Sequence, residues 1–360
     1  MNISAILNSK NFKHLFIYAV FFVVGVIPTL SFAQEAGKES ESKKFNPKEV
    51  ILEHVGDSHG LHVNLPLVKE ISLPLPVILY TPKGLEVFSS AKLAGEEGKA
   101  VVYKGEYYSY KAEGNKISAV NEAGNADKGV KMLDFSITRN VACMWMGIVI
   151  LLIVFLSISG SYRKRVGQAP KGLQSFLEPL VVFVRDDIAV PNIGVKYAKY
   201  IPLLLTMFFF ILINNLLGLV PFFPGGYNLT GNIAVTMVLS VITLLVVNFS
   251  GNKYYWKHIF APDIPLWLYI IMVPVEIIGI ISKPFALMIR LFANITAGHI
   301  IVLSLISLIF IFKTLYVSPA SVVFVVFMDT IELLVAFLQA YIFTMLTALF
   351  IGMAVEEHHH

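Results

Sequence analysis

The chain has 360 residues, 56% of them hydrophobic and only 14% charged, with a net charge of +4. That charged fraction is far below the roughly 25% of soluble domains, and several runs reach the about 20 apolar residues that cross a bilayer, so a soluble globular protein is excluded. The small net charge gives no case for nucleic acid as a partner, and a single cysteine, Cys143, excludes an internal disulfide or a multi-thiolate metal site.

Residues 1–33 carry the pattern of a cleavable signal peptide. Lys10, Lys13 and His14 precede an apolar core from Leu15 to Ile27, and small residues flank Phe32 in Ser31-Phe32-Ala33. The segment that follows is therefore expected outside the cytoplasm. Residues 34–138 are charged and hold no spanning run, and their first part, Gln34 to Lys48, reads as a flexible tether. β-type runs at Pro76–Tyr80, Leu85–Ser89 and Lys99–Tyr110, with turn signals at Gly114-Asn115 and Gly124-Asn125, predict a small β-rich extracytoplasmic module. His54, His59 and His62, with Glu53 and Asp57, lack the spacing of a metal set. They read as solvated or interface side chains, and no metal or cofactor is implied.

Val141–Ile158 is the first membrane span, followed by Arg163-Lys164-Arg165. From Tyr162 to Tyr200 there are seven Lys/Arg against three acids, which makes this loop cytoplasmic by the positive-inside rule. Signal peptide and loop charge thus agree on orientation. Gly172 to Val184 mixes apolar and polar residues and is expected along the membrane surface. Ile201–Val220 is the second span, with Asn214-Asn215 placed to bond a neighbouring helix. After a turn at Pro221–Gly231, Asn232–Val247 returns inward to a cytoplasmic loop, Ser250–Asp263, bearing Lys253 and Lys257. The domain division is thus 1–33, 34–138 and 139–357, the last a membrane domain of about five spans.

Leu266–Phe312 would be about 70 Å long as one helix, against a hydrocarbon core of about 30 Å. It crosses twice, tilts, or bends at Pro274 and Pro284. Ala320–Ala354, about 50 Å as a helix, completes a long C-terminal helical hairpin after a turn at Lys313–Pro319. Arg290 sits deep in the first of these segments, where an arginine costs roughly 2.5–3.5 kcal/mol. At about 100° per residue, Glu276, Lys283, Arg290 and Asn294 share an arc of about 40°. His299 lies on the opposite face. Glu332 and Gln339, seven apart, share a stripe of the last helix, and Asp329 reads as an interfacial residue near that helix's start. A helix face carrying an acid, two bases and an amide points to a proton or ion path. An independent secondary transporter would predict internal repeats, which are not visible, and a passive scaffold leaves the intramembrane charges unexplained.

These residues resemble subunit a of the F-type ATP synthase, over about residues 139–357. The resemblance rests on Arg185-Asp-Asp-Ile-Ala189, Asn214-Asn-Leu-Leu-Gly-Leu-Val-Pro221, Arg290-Leu-Phe-Ala-Asn294 with Ala297-Gly298, and Glu332 through Gln339-Ala-Tyr341. It implies that Arg290 is the essential arginine facing the proton-carrying carboxylates of a rotating c-ring, fed by two offset half-channels. With the orientation above, it implies an outer half-channel lined by Asn294, His299 and Glu332, an inner one lined by Glu276, and Gln339 near Arg290. It further implies partnership with the c-ring, a peripheral-stalk b subunit and the remaining Fo and catalytic-sector subunits, in a bacterial inner membrane. Many bacterial relatives carry an acid where His299 stands and a histidine where Glu332 stands; here the pair is exchanged, as in mitochondrial forms. The chain has no nucleotide-binding loop, so ATP chemistry is expected in partner subunits.

Overall fold

In the computed structural model, residues 56–356 are described, apart from 58, 66–67, 94–100, 114–115, 122–126, 128–129, 165–167, 221–228, 262–264 and 313–316. The signal peptide, the tether, Glu53 and His54, both glycine-asparagine turns and the Pro221 turn lie largely or wholly outside those residues. The chain divides into two compact units. One comprises Met1–Met146, Leu217–Asn228 and Ala297–Leu333; the other comprises Gly147–Leu216, Leu229–Thr296 and Leu334–His360.

The first unit holds a β module. Its strands are β1 (Gly60–Leu65), β2 (Val68–Pro74), β3 (Pro76–Thr81), β4 (Gly84–Ser89), β5 (Tyr103–Lys104), β6 (Ser109–Glu113), β7 (Lys116–Val120) and β8 (Leu133–Asp134). They form a β1–β2 pair and two three-stranded sheets ordered β4-β3-β8 and β5-β6-β7, with every pairing antiparallel. Period-2 alternation explains β3 and β4. Val77, Leu79 and Phe88 point into a small core with Leu93, Tyr110 and Ile117, while Tyr80, Leu85 and Val87 point out. The expected strands at 76–80 and 85–89 are present. The run expected over 99–110 is instead two strands parted by a turn, because Gly105 N donates to Tyr108 O at 2.8 Å. Strands β1, β2, β7 and β8 were not foreseen.

Glu86 is buried in this core and fully engaged. It accepts from the Tyr110 hydroxyl and the Tyr107 amide, both at 2.8 Å, and from the Glu106 amide at 3.2 Å. Burial, reinforced by the Glu86 hydrogen bond and charge, raises the Tyr110 phenol above its ordinary value. A buried carboxylate persists when donors replace its water, and here there are three.

The helices are α1 (Arg139–Lys164), α2 (Leu173–Phe183), α3 (Val190–Ile193), α4 (Tyr197–Leu219), α5 (Ile233–Ser250), α6 (Lys253–Phe260), α7 (Leu266–Phe312) and α8 (Val317–Val355). Among the described residues, five helical stretches are long and apolar enough to cross a membrane, so the fold is an all-helical polytopic membrane domain with a β-rich N-terminal module. The segment expected along the membrane surface is helical, but it does not stop at Val184. A π-helical turn, Val184–Ala189, carries it towards α3 and α4. The 47 residues of α7 form one helix through Pro274 and Pro284. Prolines are tolerated in membrane helices; the carbonyl that Pro284 leaves without its amide donor is that of Ile280, while Ser240 Oγ on α5 donates to Pro284 O at 2.8 Å and ties the two helices together at this point.

The second unit has its own apolar core, with Val184, Ile188, Leu204, Phe208, Leu291 and Ile351 fully buried or nearly so. Polar bonds fix helix neighbours within it. Asn215 Nδ2 donates to Ala336 O on α8 at 3.1 Å, and its Oδ1 accepts from Thr230 at 2.6 Å. That is the interhelical role expected of this amide. Asn214 instead donates to Phe210 O of its own helix at 2.7 Å.

Candidate functional site

Two clusters of ionisable side chains stand inside the spans, one in each unit. In the second unit, α7 presents Lys283, Arg290 and Asn294 at exposed positions, with Glu276 half-buried. Among the described residues, neither Arg290 nor Asn294 has a hydrogen-bond or ion-pair partner. Around them Phe285 and Ile289 are also exposed. The face is thus apolar, with a bare guanidinium in it. Lys283 places its Nζ 5.7 Å from the centre of the Phe350 ring on α8 and lines a cleft with Thr243, Asn248 and Tyr255. Gln339 on α8 is 3% exposed.

Glu276 has a partner that sequence reasoning missed. His258 Nδ1 on α6 lies 3.3 Å from its Oε1. The available signal was the short helix Lys253–Phe260, which ends in Lys257 and His258. The Tyr255 phenol on that helix is raised by burial and then by the Glu276 charge. In the π-helical turn, the Arg185 guanidinium grips Asp186 through Nε at 2.6 Å and Nη2 at 2.9 Å, both side chains exposed.

In the first unit, His299 on α7 and Glu332 on α8 come together, Nδ1 to Oε2 at 3.9 Å, with side chains 18% and 11% exposed. The acid and the histidine that are exchanged between these two positions therefore stand side by side. Gly298 makes room for the pair, since a Cβ there would stand 2.6 Å from Glu332 Oε1. Asp329, expected near the start of the last helix, is buried at 5% exposure, and its Oδ2 has no hydrogen-bond partner among the described residues. It stands one turn before Glu332 on α8.

In the β module, His59 Nε2 lies 2.9 Å from Asp134 Oδ2, and Asp57 Oδ1 accepts from the Asn140 amide at 3.1 Å. Burial alone would raise Asp134, but hydrogen bonds from Ser136 and His59 hold it below its ordinary value. These two residues of the histidine-rich stretch therefore serve structure.

The helices and the groups inside them define a polytopic membrane protein with an acid, an arginine and an acid–histidine couple in its spans. Residues 141–352 match the family described as ATP synthase A chain, and residues 50–135 match a family described only as a domain of unknown function. An ATP synthase subunit a of Chloroherpeton thalassium is 50% identical over 233 residues, which are 63% of this chain and 69% of that protein. The ATP synthase subunit a 2 of Chlorobaculum tepidum is 52% identical over 233 residues, 62% of this chain and 64% of that protein. An ATP synthase subunit a of Myxococcus xanthus is 46% identical over 235 residues, 63% and 76% of the two chains. The chain belongs to the ATP synthase A chain family, and is a membrane subunit in proton transport and ATP synthesis.

Proposed function

We propose that this chain is the proton-translocating stator subunit of an Fo sector, with Arg290 facing the carboxylates of a rotating c-ring. One observation carries the reading: Arg290 lies exposed on an apolar face of α7 with no partner among the described residues. A bare guanidinium facing lipid is costly. Opposed to a carboxylate of a partner subunit within about 4–6 Å, it favours the ionised acid and draws off its proton. The same charge blocks direct leakage between the two half-channels.

Asn294, His299 and Glu332 line the outer half-channel, Glu276 lines the inner one, and Gln339 lies near Arg290. The 3.9 Å approach of His299 to Glu332 supports a shared path for that pair, since an imidazole can both take up and release a proton. His258 against Glu276 supports a polar route at the inner end. Residues 1–33 are a signal peptide and 34–138 an extracytoplasmic module; 139–357 are the membrane domain of a bacterial inner membrane, with a cytoplasmic C-terminus. The c-ring, a peripheral-stalk b subunit and the catalytic sector are the partners. ATP chemistry resides in the catalytic sector, and this chain has no catalytic site of its own.

The test is ATP-driven proton pumping in inverted vesicles bearing Arg290→Ala, with assembly checked by co-purification of the ring. Loss of pumping in an assembled complex is expected. Pumping at the wild-type rate overturns the reading.

A further inference from the structure

Asp329 is a buried ionisable group without a task in the scheme above. It lies three residues before Glu332 on α8, and neither its Oδ2 nor Glu332 Oε1 has a hydrogen-bond partner among the described residues. The packing of the hairpin locates it. His299 meets Glu332, and Val302 and Ile306 pack with Val325, so α7 and α8 run antiparallel here. Asp329 lies along α8 between Val325 and Glu332, the two residues that make those contacts, and is buried, as are Val302 and Leu303 on α7. Residues three apart on a helix are neighbours, with Cβ atoms about 5–6 Å apart. The two carboxyls can therefore exchange a proton directly or through one water. The titratable groups facing Asp329 among the described residues are Glu332 on its own helix and, through it, His299 on α7.

A carboxyl that serves structure looks different in this chain. Glu86 in the β module is equally buried and accepts three hydrogen bonds. Asp329 has an oxygen with none among the described residues, within a helix long and apolar enough to span a membrane, where ionisable residues mark proton relays.

We propose that Asp329 is a further proton-carrying station, next to Glu332 on the side of the α8 N-terminus. The inference rests on the outer half-channel reading and adds a member to it. In the inward direction, the Asp329 O–H bond breaks as an O–H bond forms on the Glu332 carboxylate. The carboxylate left at 329 takes its next proton from water of the outer compartment. Outward pumping reverses both steps, and one proton moves per event with no other reactant.

The experiment uses the whole complex in inverted vesicles and measures ATP-driven pumping from pH 6 to pH 9. Asp329→Asn, isosteric but unable to carry the proton, is expected to assemble with the ring and to lose pumping by about 10²-fold, the low end of what a positioned proton-transfer group contributes. Asp329→Glu restores the rate, with a displaced pH profile. Asp329→Ser leaves room for a small acid, and added formate is expected to raise its pumping, an effect that packing alone would not produce. Wild-type pumping and an unchanged pH profile in Asp329→Asn overturn the proposal, as does failure of both the Asn and Ser variants to assemble. Arg290→Ala in parallel separates the two readings. If it abolishes pumping while Asp329→Asn does not, only the Asp329 station falls; if Arg290→Ala pumps normally, the stator reading falls.

Discussion

Glu332 is held where it is by the absence of a side chain opposite. A Cβ on Gly298 would meet Glu332 Oε1 at 2.6 Å and its Cδ and Cγ at 3.0 Å. Contacts this short involve more than the tip of the side chain, so the whole carboxyl must move. Displacing a reacting group by about 1 Å can cost up to about 10²-fold in rate. Gly298→Ala is therefore expected to slow proton pumping by at least about tenfold while the ring still co-purifies; an unchanged rate would mean that the Glu332 position is not rate-determining. Candidate residues were readable where their cost is high. Arg290, Glu276, His299 and Glu332 stand out because each is expensive in an apolar run. Asp329 carries the same cost, but its place near the helix start said nothing of its burial. Which side of α8 meets α7 is a long-range property, set by contacts such as Val325 with Val302 and Ile306, and helix periodicity alone does not choose it.

At the scale of elements, the two long helices were legible as long apolar runs, and their capacity to stay unbroken was not. Whether Pro284 breaks α7 depends on what surrounds it. Ser240 on another helix holds α7 at this point through the Pro284 carbonyl, and no local pattern around residue 284 announces that. Asn215 shows a similar dependence, with the opposite outcome for prediction. An amide in an apolar run needs a partner, so its interhelical bond was foreseen, although the identity of Ala336 O was not. Replacing Asn215 with Leu removes the bond to α8 and leaves Thr230 Oγ1 without its acceptor. Interhelical polar contacts in membranes contribute about 0.6 kcal/mol on average and about 1.7 at most. Asn215→Leu is expected to destabilise the α4–α8 contact by about 1 kcal/mol, read as a lower thermal midpoint of the purified complex. A raised midpoint would show that apolar packing serves better at that position.

For the molecule as a whole, the question is how the β module is joined to the first span. Within the first unit, the opening turns of α1 are tied to the module. The Asn140 amide donates to Asp57, Arg139 Nη2 donates to Gly56 O at 2.6 Å, and Cys143 packs with Leu75 and Met146. The backbone bonds Phe135 N to Ile78 O and Ile137 N to Pro76 O carry the sheet almost to the helix start. The first amides of a helix lack partners within it, and an acid there also meets the positive end of the helix dipole. Asp57 supplies both from 83 residues away, which is why the sequence around 139 shows no such acid. Losing a capping side chain costs typically about 1 kcal/mol, enough to raise the open population about fivefold. Cys143, the only cysteine, is buried at this joint and reports on it without further engineering. Asp57→Ala is expected to speed its modification by a membrane-impermeant maleimide about fivefold when the reagent is on the outer side, with little change when it is on the cytoplasmic side. Equal rates in wild type and variant would show that the module does not brace α1. Faster labelling from the cytoplasmic side would invert the proposed orientation, and with it the assignment of His299 and Glu332 to the outer path.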